Sequence, residues 1–177
     1  MSEELNILEI FDEKVVDCDM DVTTKDQAFR HLSKLLLEAG YIDDLEQFVA
    51  DIYEREAVEE TGIGEGIAIP HGKSDAVKKL GIAVGKCRGT IDDWGSLDDE
   101  PIKTVFLFCV SKSQYGEVQL RMLNKLAGSL AKGNTMDLVK EMTCYQDLID
   151  AFSNQDNAVK KVTDIEELKD DIEINIL

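Results

Sequence analysis

The sequence predicts a single α/β domain in which helices flank a sheet. Residues 104–110, TVFLFCV, form a continuous apolar run, which is typical of a strand covered on both faces. Segments with apolar residues at helical spacing lie on both sides of this run along the chain. A length of 177 residues and a hydrophobic content of 44% fit one well-buried domain. Periodic helices combined with short apolar strands indicate the mixed α/β class.

The first two predicted helices lie before residue 60. Thr24 is followed three residues later by Gln27, which is the pattern of a capping box at a helix N-terminus. Apolar residues then recur at helical spacing as far as Gly40, a common helix stop. A second helix is predicted over residues 43–57, and it would bring Arg55 close to the glycine-rich segment that follows.

The rest of the chain contains strand-like segments and then further helices. We expect strands at residues 67–69, 81–87 and 104–110, and helices at residues 116–131, 136–142 and 145–152. Residues 90–101 carry five acids around Trp94 with no helical period, so we interpret them as a loop or hairpin. Residues 154–177 lose clear periodicity and become acidic. We therefore predict a domain over residues 1–153 and an acidic C-terminal tail over residues 154–177.

The most informative segment is residues 61–77, TGIGEGIAIPHGKSDAV, which places His71 directly after Pro70. Proline has no N–H for a sheet ladder, so we expect the chain to leave a strand here and to expose His71 at the strand's end. Neutral imidazole is nucleophilic without an activating base, because its ordinary pKa is ~6.5. A histidine so placed can carry a covalent group, although an ordinary surface residue in a loop is the competing interpretation. The second histidine, His31, falls on the polar flank of the first helix, which favours a plain surface role.

Charge and composition exclude several classes of function. A formal net charge of −18 disfavours nucleic acids and anionic membrane surfaces as partners. Residues 66–88 nevertheless contain five cations and one acid around His71. This positive segment is interpreted either as solvated surface or as a region that favours the arrival of a phosphorylated group. The acidic N-terminal sequence and the lack of a long apolar run predict a cytoplasmic protein.

No metal site or cofactor is expected from the sequence. The four cysteines are widely scattered, with no CxxC pair and only two histidines to complete a metal shell. Residues 66–74, GIAIPHGKS, have five residues between the glycines where a phosphate-binding P-loop requires four, and Pro70 removes an N–H from the middle. Phosphate would therefore have to arrive already attached to another molecule, which leaves histidine as the nucleophile.

Residues 55–110 closely resemble the enzyme IIA domain of the fructose/mannitol family of the bacterial phosphoenolpyruvate-dependent sugar phosphotransferase system. The resemblance rests on REAVEETGIGEGIAIPHGKSDAV followed by LGIAVGKC and VFLFCV, is nearer to the fructose type, and extends over roughly residues 6–152. It implies a single domain with a mixed, mostly parallel sheet covered by helices on both faces. It also implies that His71 accepts a phosphoryl group from the phosphocarrier HPr and passes it to a cysteine of an enzyme IIB domain.

By the same resemblance, Arg55 stabilises the phosphoryl group, and Thr61 with Gly62 forms a phosphate-binding loop beside the histidine. The family usually has a second histidine where this chain has Gln119, whose carboxamide could still donate one hydrogen bond to phosphate. A free-standing IIA protein would meet a membrane IIC component only indirectly. Two alternatives stay open, namely a regulatory nitrogen-type IIA protein and a family member that no longer turns over efficiently.

Overall fold

The computed structural model describes residues 6–153, which form a six-stranded sheet between two layers of helices. The strands are β1 Val16–Met20, β2 Gly62–Gly64, β3 Ile67–Ala68, β4 His71–Lys73, β5 Gly81–Ile91 and β6 Ile102–Val110. The helices are α1 Ile7–Ile10, α2 Lys25–Glu38, α3 Leu45–Glu56, α4 Glu117–Leu130, α5 Thr135–Glu141 and α6 Tyr145–Ser153. The predicted tail over residues 154–177 lies outside the described residues.

The sheet is mixed, as the resemblance implied. Its order is β1-β5-β6-β3-β2, and β4 pairs with β6 beyond β3. Three of the five strand pairings are parallel, namely β1 with β5, β3 with β6 and β4 with β6. The two long central strands, β5 and β6, pair antiparallel as a hairpin, and so do β2 and β3. The parallel pairings place β3 and β4 along one edge of β6, where the histidine segment lies.

Two hydrophobic cores cover the two faces of the sheet, which confirms the prediction from the apolar run in β6. Phe106, Phe108 and Val110 point to the core that contains α1, α4, α5 and α6. Their neighbours Val105 and Leu107 point to the core that contains α2 and α3. Successive side chains of a strand face opposite sides, so burial on both faces requires a continuous apolar sequence.

The capping pattern at α2 is confirmed with one difference. The hydroxyl of Thr24 accepts a hydrogen bond from the backbone N–H of Gln27 at 3.1 Å. The carboxamide oxygen of Gln27 accepts from the N–H of Thr23 at 2.8 Å, one residue before the cap position. Gly40 has φ +82°, a backbone conformation that ends the helix and costs glycine little.

The acidic segment predicted as a loop or hairpin is the connection of the β5–β6 hairpin. It is shorter than predicted, because β5 continues through Ile91 and β6 begins at Ile102. Trp94 is buried in the core on the α2 side, and its ring meets that of Phe29 edge-on, with ring centroids 5.1 Å apart. The hairpin tip is therefore attached to the helical layer.

The prediction missed four short elements, namely α1, β1, β2 and β4. Each spans five residues or fewer, and so carries too few residues for a hydrophobic period to be recognised. None of the helices within residues 6–153 combines the length and apolarity needed to cross a bilayer.

Candidate functional site

His71 begins β4 instead of lying exposed after a strand, so the predicted exposure was wrong. Pro70 separates β3 from β4, and both strands follow the same edge of β6. The carbonyl of Pro70 accepts from the N–H of Phe108 at 2.9 Å, so the ladder continues through the proline by its acceptor alone. The imidazole of His71 is fully buried, with 0% exposure.

The imidazole is held between β6 and α4. The ring of Phe108 meets it edge-on, with centroids 4.8 Å apart. The carboxamide nitrogen of Gln119, in the first turn of α4, lies 2.9 Å from Nε2 of His71. In this arrangement the amide donates and Nε2 accepts, so the neutral ring carries its proton on Nδ1.

The site keeps His71 neutral. The pKa of His71 is lowered from its ordinary 6.5 to about 3, chiefly by burial and to a smaller extent by the positive charge of Arg55, while the backbone carbonyl of Ile69 acts in the opposite direction. Near neutral pH the ring therefore retains a lone pair, as a nucleophile requires.

Arg55 lies in the last turn of α3 and faces a cavity beside the histidine strand. Its Nη1 donates to the carbonyl of Glu59 at 2.9 Å. The cavity has a volume of about 400 Å³ and is lined by Asp51, Glu54, Arg55, Val58, Lys73, Lys112 and Tyr115. The positive charge of Arg55 acts to lower the pKa of the His71 imidazole. The structure thus brings together three predicted residues, His71, Arg55 and Gln119.

Thr61 directly precedes β2, and Gly62 is the first residue of that strand. The hydroxyl of Thr61 donates to the buried carboxylate of Glu56, and its carbonyl accepts from the N–H of Ile69 at 3.0 Å. A side chain at Gly62 would place Cβ 2.2 Å from the carbonyl oxygen of Gly95, so the close approach of the hairpin tip requires glycine. Both residues hold this segment in shape, and their predicted role in binding phosphate stays a prediction.

No sequence pattern indicated the ion pair that supports this segment. Nζ of Lys25, at the start of α2, lies 3.0 Å from Oε2 of Glu56 and 3.0 Å from Oε1 of Glu60. The same ammonium lies 5.3 Å from the ring centroid of Trp94. This contact joins three segments far apart in the chain, a relation that no local pattern encodes.

Most of the cations in the positive segment, residues 66–88, do not lie at the site. Of its five cations, only Lys73 lines the cavity beside the histidine. The others lie elsewhere: Lys78 pairs with Asp43, Lys79 stacks on Tyr41, Lys86 donates to the carbonyl of Met142, and Arg88 pairs with Asp19. The interpretation as solvated surface is therefore correct for most of the segment.

The remaining titratable groups singled out from the sequence lie away from this site. His31 in α2 is half-buried, and its Nε2 lies 2.8 Å from Oδ2 of Asp17. It is therefore a surface residue, as expected, but one that contacts a carboxylate. Cys109 is buried in the core, as expected. Across residues 6–153 no group of three or more histidine, cysteine and acidic side chains is arranged to hold a metal ion.

Comparison with known proteins agrees with this arrangement. Residues 9–155 match the family described as phosphoenolpyruvate-dependent sugar phosphotransferase system, EIIA 2. A fructose-specific EIIA component of this system from Haloferax volcanii is 31% identical over 140 residues, which cover 79% of this chain and 90% of that protein. Other curated relatives are longer, and the chain spans only 20% and 24% of the length of two of them.

Solved structures show the same fold. Nitrogen regulatory protein IIA-Ntr from Neisseria meningitidis aligns with a TM-score of 0.71 and 25% identity, covering 82% of this chain and 98% of that one. The mannitol IIA enzyme of Escherichia coli, solved in complex with phosphorylated enzyme IIB, aligns with a TM-score of 0.67 and 20% identity, covering 81% and 97%.

Proposed function

This chain belongs to the EIIA 2 family of the phosphoenolpyruvate-dependent sugar phosphotransferase system, and we propose that it carries a phosphoryl group from phosphorylated HPr to a cysteine of an enzyme IIB protein. The carrier residue is His71. The observation that carries the proposal is a fully buried, neutral imidazole. Its Nε2 faces the side-chain amide of Gln119, and the charge of Arg55 helps to lower its pKa.

The transfer is a nucleophilic displacement between two imidazoles. The lone pair of a His71 ring nitrogen forms a bond to phosphorus while the N–P bond in the donor breaks, and the donor imidazole keeps that electron pair. Charge on the equatorial oxygens is neutralised by the guanidinium of Arg55. The amide of Gln119 already lies 2.9 Å from Nε2 and can transfer its hydrogen bond from that nitrogen to a phosphoryl oxygen.

Burial of His71 has two consequences for the reaction. Water is excluded, which protects a phosphoryl group on nitrogen from hydrolysis. The imidazole must also become accessible when a partner docks, and the cavity lined by Arg55, Lys73 and Tyr115 provides the approach. Thr61 and Gly62 keep the loop in place below this approach, so their backbone can contribute to binding the phosphoryl group.

The partners follow from the family. An enzyme IIA protein of the mannitol type has been solved with phosphorylated IIB, and an equivalent IIB protein is the acceptor proposed here. HPr is the donor, while a membrane IIC component is reached only through IIB. A net charge of −18 argues against nucleic acid as a partner.

Reconstitution tests the proposal directly. Phosphoenolpyruvate, enzyme I, HPr and this protein are combined, and the modified residue is located by mass spectrometry under non-acidic conditions. We expect a single phosphohistidine at His71, loss of labelling in His71→Ala and normal labelling in His31→Ala. Labelling that survives the first substitution and is lost in the second would assign the carrier to His31.

A regulatory function is the second candidate, favoured by the 25% identity to nitrogen regulatory protein IIA-Ntr across 82% of this chain. Such a protein would use the same phosphohistidine mainly as a signal of state. Fast discharge of phosphorylated protein to a IIB cysteine supports transport, whereas stable retention supports signalling. A form that accepts phosphate slowly and discharges slowly would instead support loss of turnover with Gln119 as its cause.

A further inference from the structure

We propose that Lys73 is a second cationic group that binds the phosphoryl carried by His71, and that Tyr115 holds it close to the site beforehand. This inference rests on the proposed role of His71 as the carrier. No sequence pattern distinguished Lys73 from the four other cations of residues 66–88. Its position on β4 in the folded protein distinguishes it from them.

The strand geometry directs Lys73 to the same side as the histidine. His71 and Lys73 are two residues apart on β4, and side chains at that spacing face the same side of a sheet, with a separation of roughly 7 Å along the strand. Gly72 between them faces α3, since a side chain there would meet the ring of Phe48. His71 contacts Gln119 of α4, and Lys73 contacts Tyr115 just before α4.

Lys73 is held without being neutralised. Its Nζ lies 4.4 Å from the ring centroid of Tyr115, an attraction that restrains the ammonium but leaves its charge in place. Within residues 6–153 it makes no ion pair with a carboxylate. Lys112 lines the same cavity, but it pairs with Asp75 at 3.4 Å.

The charge of a phosphoryl group requires more than one cation. A phosphoryl group near neutral pH carries nearly two negative charges, and partly buried charge is costly unless it is compensated. Arg55 supplies one positive charge next to His71. Asp51 and Glu54 also line the cavity and oppose the phosphoryl charge, so Arg55 alone leaves it under-compensated. Lys73 supplies the missing charge by leaving the face of Tyr115.

Transfer rates from phosphorylated HPr test this role. The variants are Lys73→Met, Lys73→Arg and the matched control Lys78→Met, which removes an equal charge from a lysine paired with Asp43 away from the cavity. We expect Lys73→Met to lower the maximal transfer rate about 10- to 100-fold, as loss of a charge-assisted contact does, and Lys73→Arg to restore most of it. Lys78→Met should stay within about twofold of wild type.

Three outcomes would overturn the inference. A Lys73→Met protein that transfers at the wild-type maximal rate would show that Lys73 does not contact the phosphoryl. An effect confined to the HPr concentration needed for half-maximal rate would assign Lys73 to docking. An equal loss in Lys78→Met would assign the effect to overall charge. Failure of wild type itself to become labelled at His71 would instead refute the proposed carrier function.

Discussion

Arg55 is expected to act on the phosphoryl group and to contribute little to folding, since it projects from the last turn of α3 into the cavity. Arg55→Ala removes one charge-assisted contact from the transition state. The rate of transfer from phosphorylated HPr should fall by roughly one to two decades, equivalent to about 1.5–3 kcal/mol.

Arg88→Ala is the control for that experiment, because Arg88 pairs with Asp19 outside the cavity. Rapid-quench measurement of phosphoryl transfer should separate the two variants. Equal rates for wild type and a well-folded Arg55→Ala protein would remove Arg55 from the reaction.

Gln119 stands where the sequence resemblance implied a histidine, and its contact with His71 makes its role measurable. Gln119→Ala removes the donor to Nε2 and should slow transfer by about tenfold, or about 1.4 kcal/mol. Gln119→His introduces a donor that can be charged or neutral, so the rate should become dependent on pH near the imidazole pKa. The wild-type rate should show no such dependence, because His71 stays neutral and Gln119 does not titrate.

Rates measured between about pH 5.5 and 8 decide the point, since this interval spans the ordinary imidazole pKa. Unchanged rates and pH profiles in both variants would mean that Gln119 only fills space at the start of α4. The presence of glutamine at this position would then have no catalytic significance.

At the scale of elements, the site depends on how closely α3 packs against β4. A Cβ at Gly72 would lie 2.1 Å from Cζ of Phe48, which is fully buried. Gly72→Ala should therefore lower the free energy of unfolding by about 1–3 kcal/mol, as overpacking does. Gly89→Ala on β5 meets no atom within 4 Å and is the matched control, expected to be neutral or slightly stabilising.

Urea unfolding provides the measurement, applied to Gly72→Ala, Gly89→Ala, Phe48→Leu and the double substitution Gly72→Ala with Phe48→Leu. A smaller side chain at position 48 relieves the clash, so the double variant should lose less stability than the two single losses added together. Strictly additive losses would show that the strand and the helix do not compete for this space.

For the whole molecule, the buried neutral histidine links stability to pH. The pKa of His71 is about 3 in the folded protein, below its ordinary 6.5, so the unfolded chain takes up a proton that the folded protein excludes. This term is absent above pH 6.5 and destabilises the fold as pH falls from 6.5 towards 3. Its slope is ~1.4 kcal/mol per pH unit.

His71→Asn removes this term while keeping a polar side chain. The difference in unfolding free energy, wild type minus His71→Asn, should decrease by about 1.4 kcal/mol for each pH unit below 6.5. Urea denaturation at a series of pH values from about 7.5 to 4.5 measures it, and that interval brackets the ordinary imidazole pKa. Parallel pH dependences in the two proteins would contradict a buried neutral His71.

Much of the architecture is encoded locally and was predicted correctly. The helix over Lys25–Glu38 follows from its cap at Thr24 and its apolar period, and the strand Ile102–Val110 from its continuous apolar run. The resemblance of the segment around His71 to enzyme IIA proteins was confirmed by the family match over residues 9–155. These properties depend on side-chain chemistry and spacing within a few turns or one strand.

The burial and the contacts of the site could not be predicted in this way, because they arise from residues that meet only after folding. The sequence predicted an exposed histidine after a strand, and the structure places His71 in β4, buried against Phe108 and beneath Gln119, which lies 48 positions further along the chain. The chain was expected to leave a strand at Pro70, and β3 does end before it, but the carbonyl of Pro70 still accepts from β6 and β4 begins at the next residue.

The sequence by itself therefore determined the class of fold, the family and the identity of the candidate nucleophile. Only the tertiary structure decided that the nucleophile is neutral and buried, that Lys25 and Glu56 support its loop, and that Lys73 alone of its segment's five cations lines the cavity. The physical reason is that helix caps and apolar periods act over neighbouring residues. Burial, pKa and charge compensation depend instead on groups contributed by both helical layers and the strand between them.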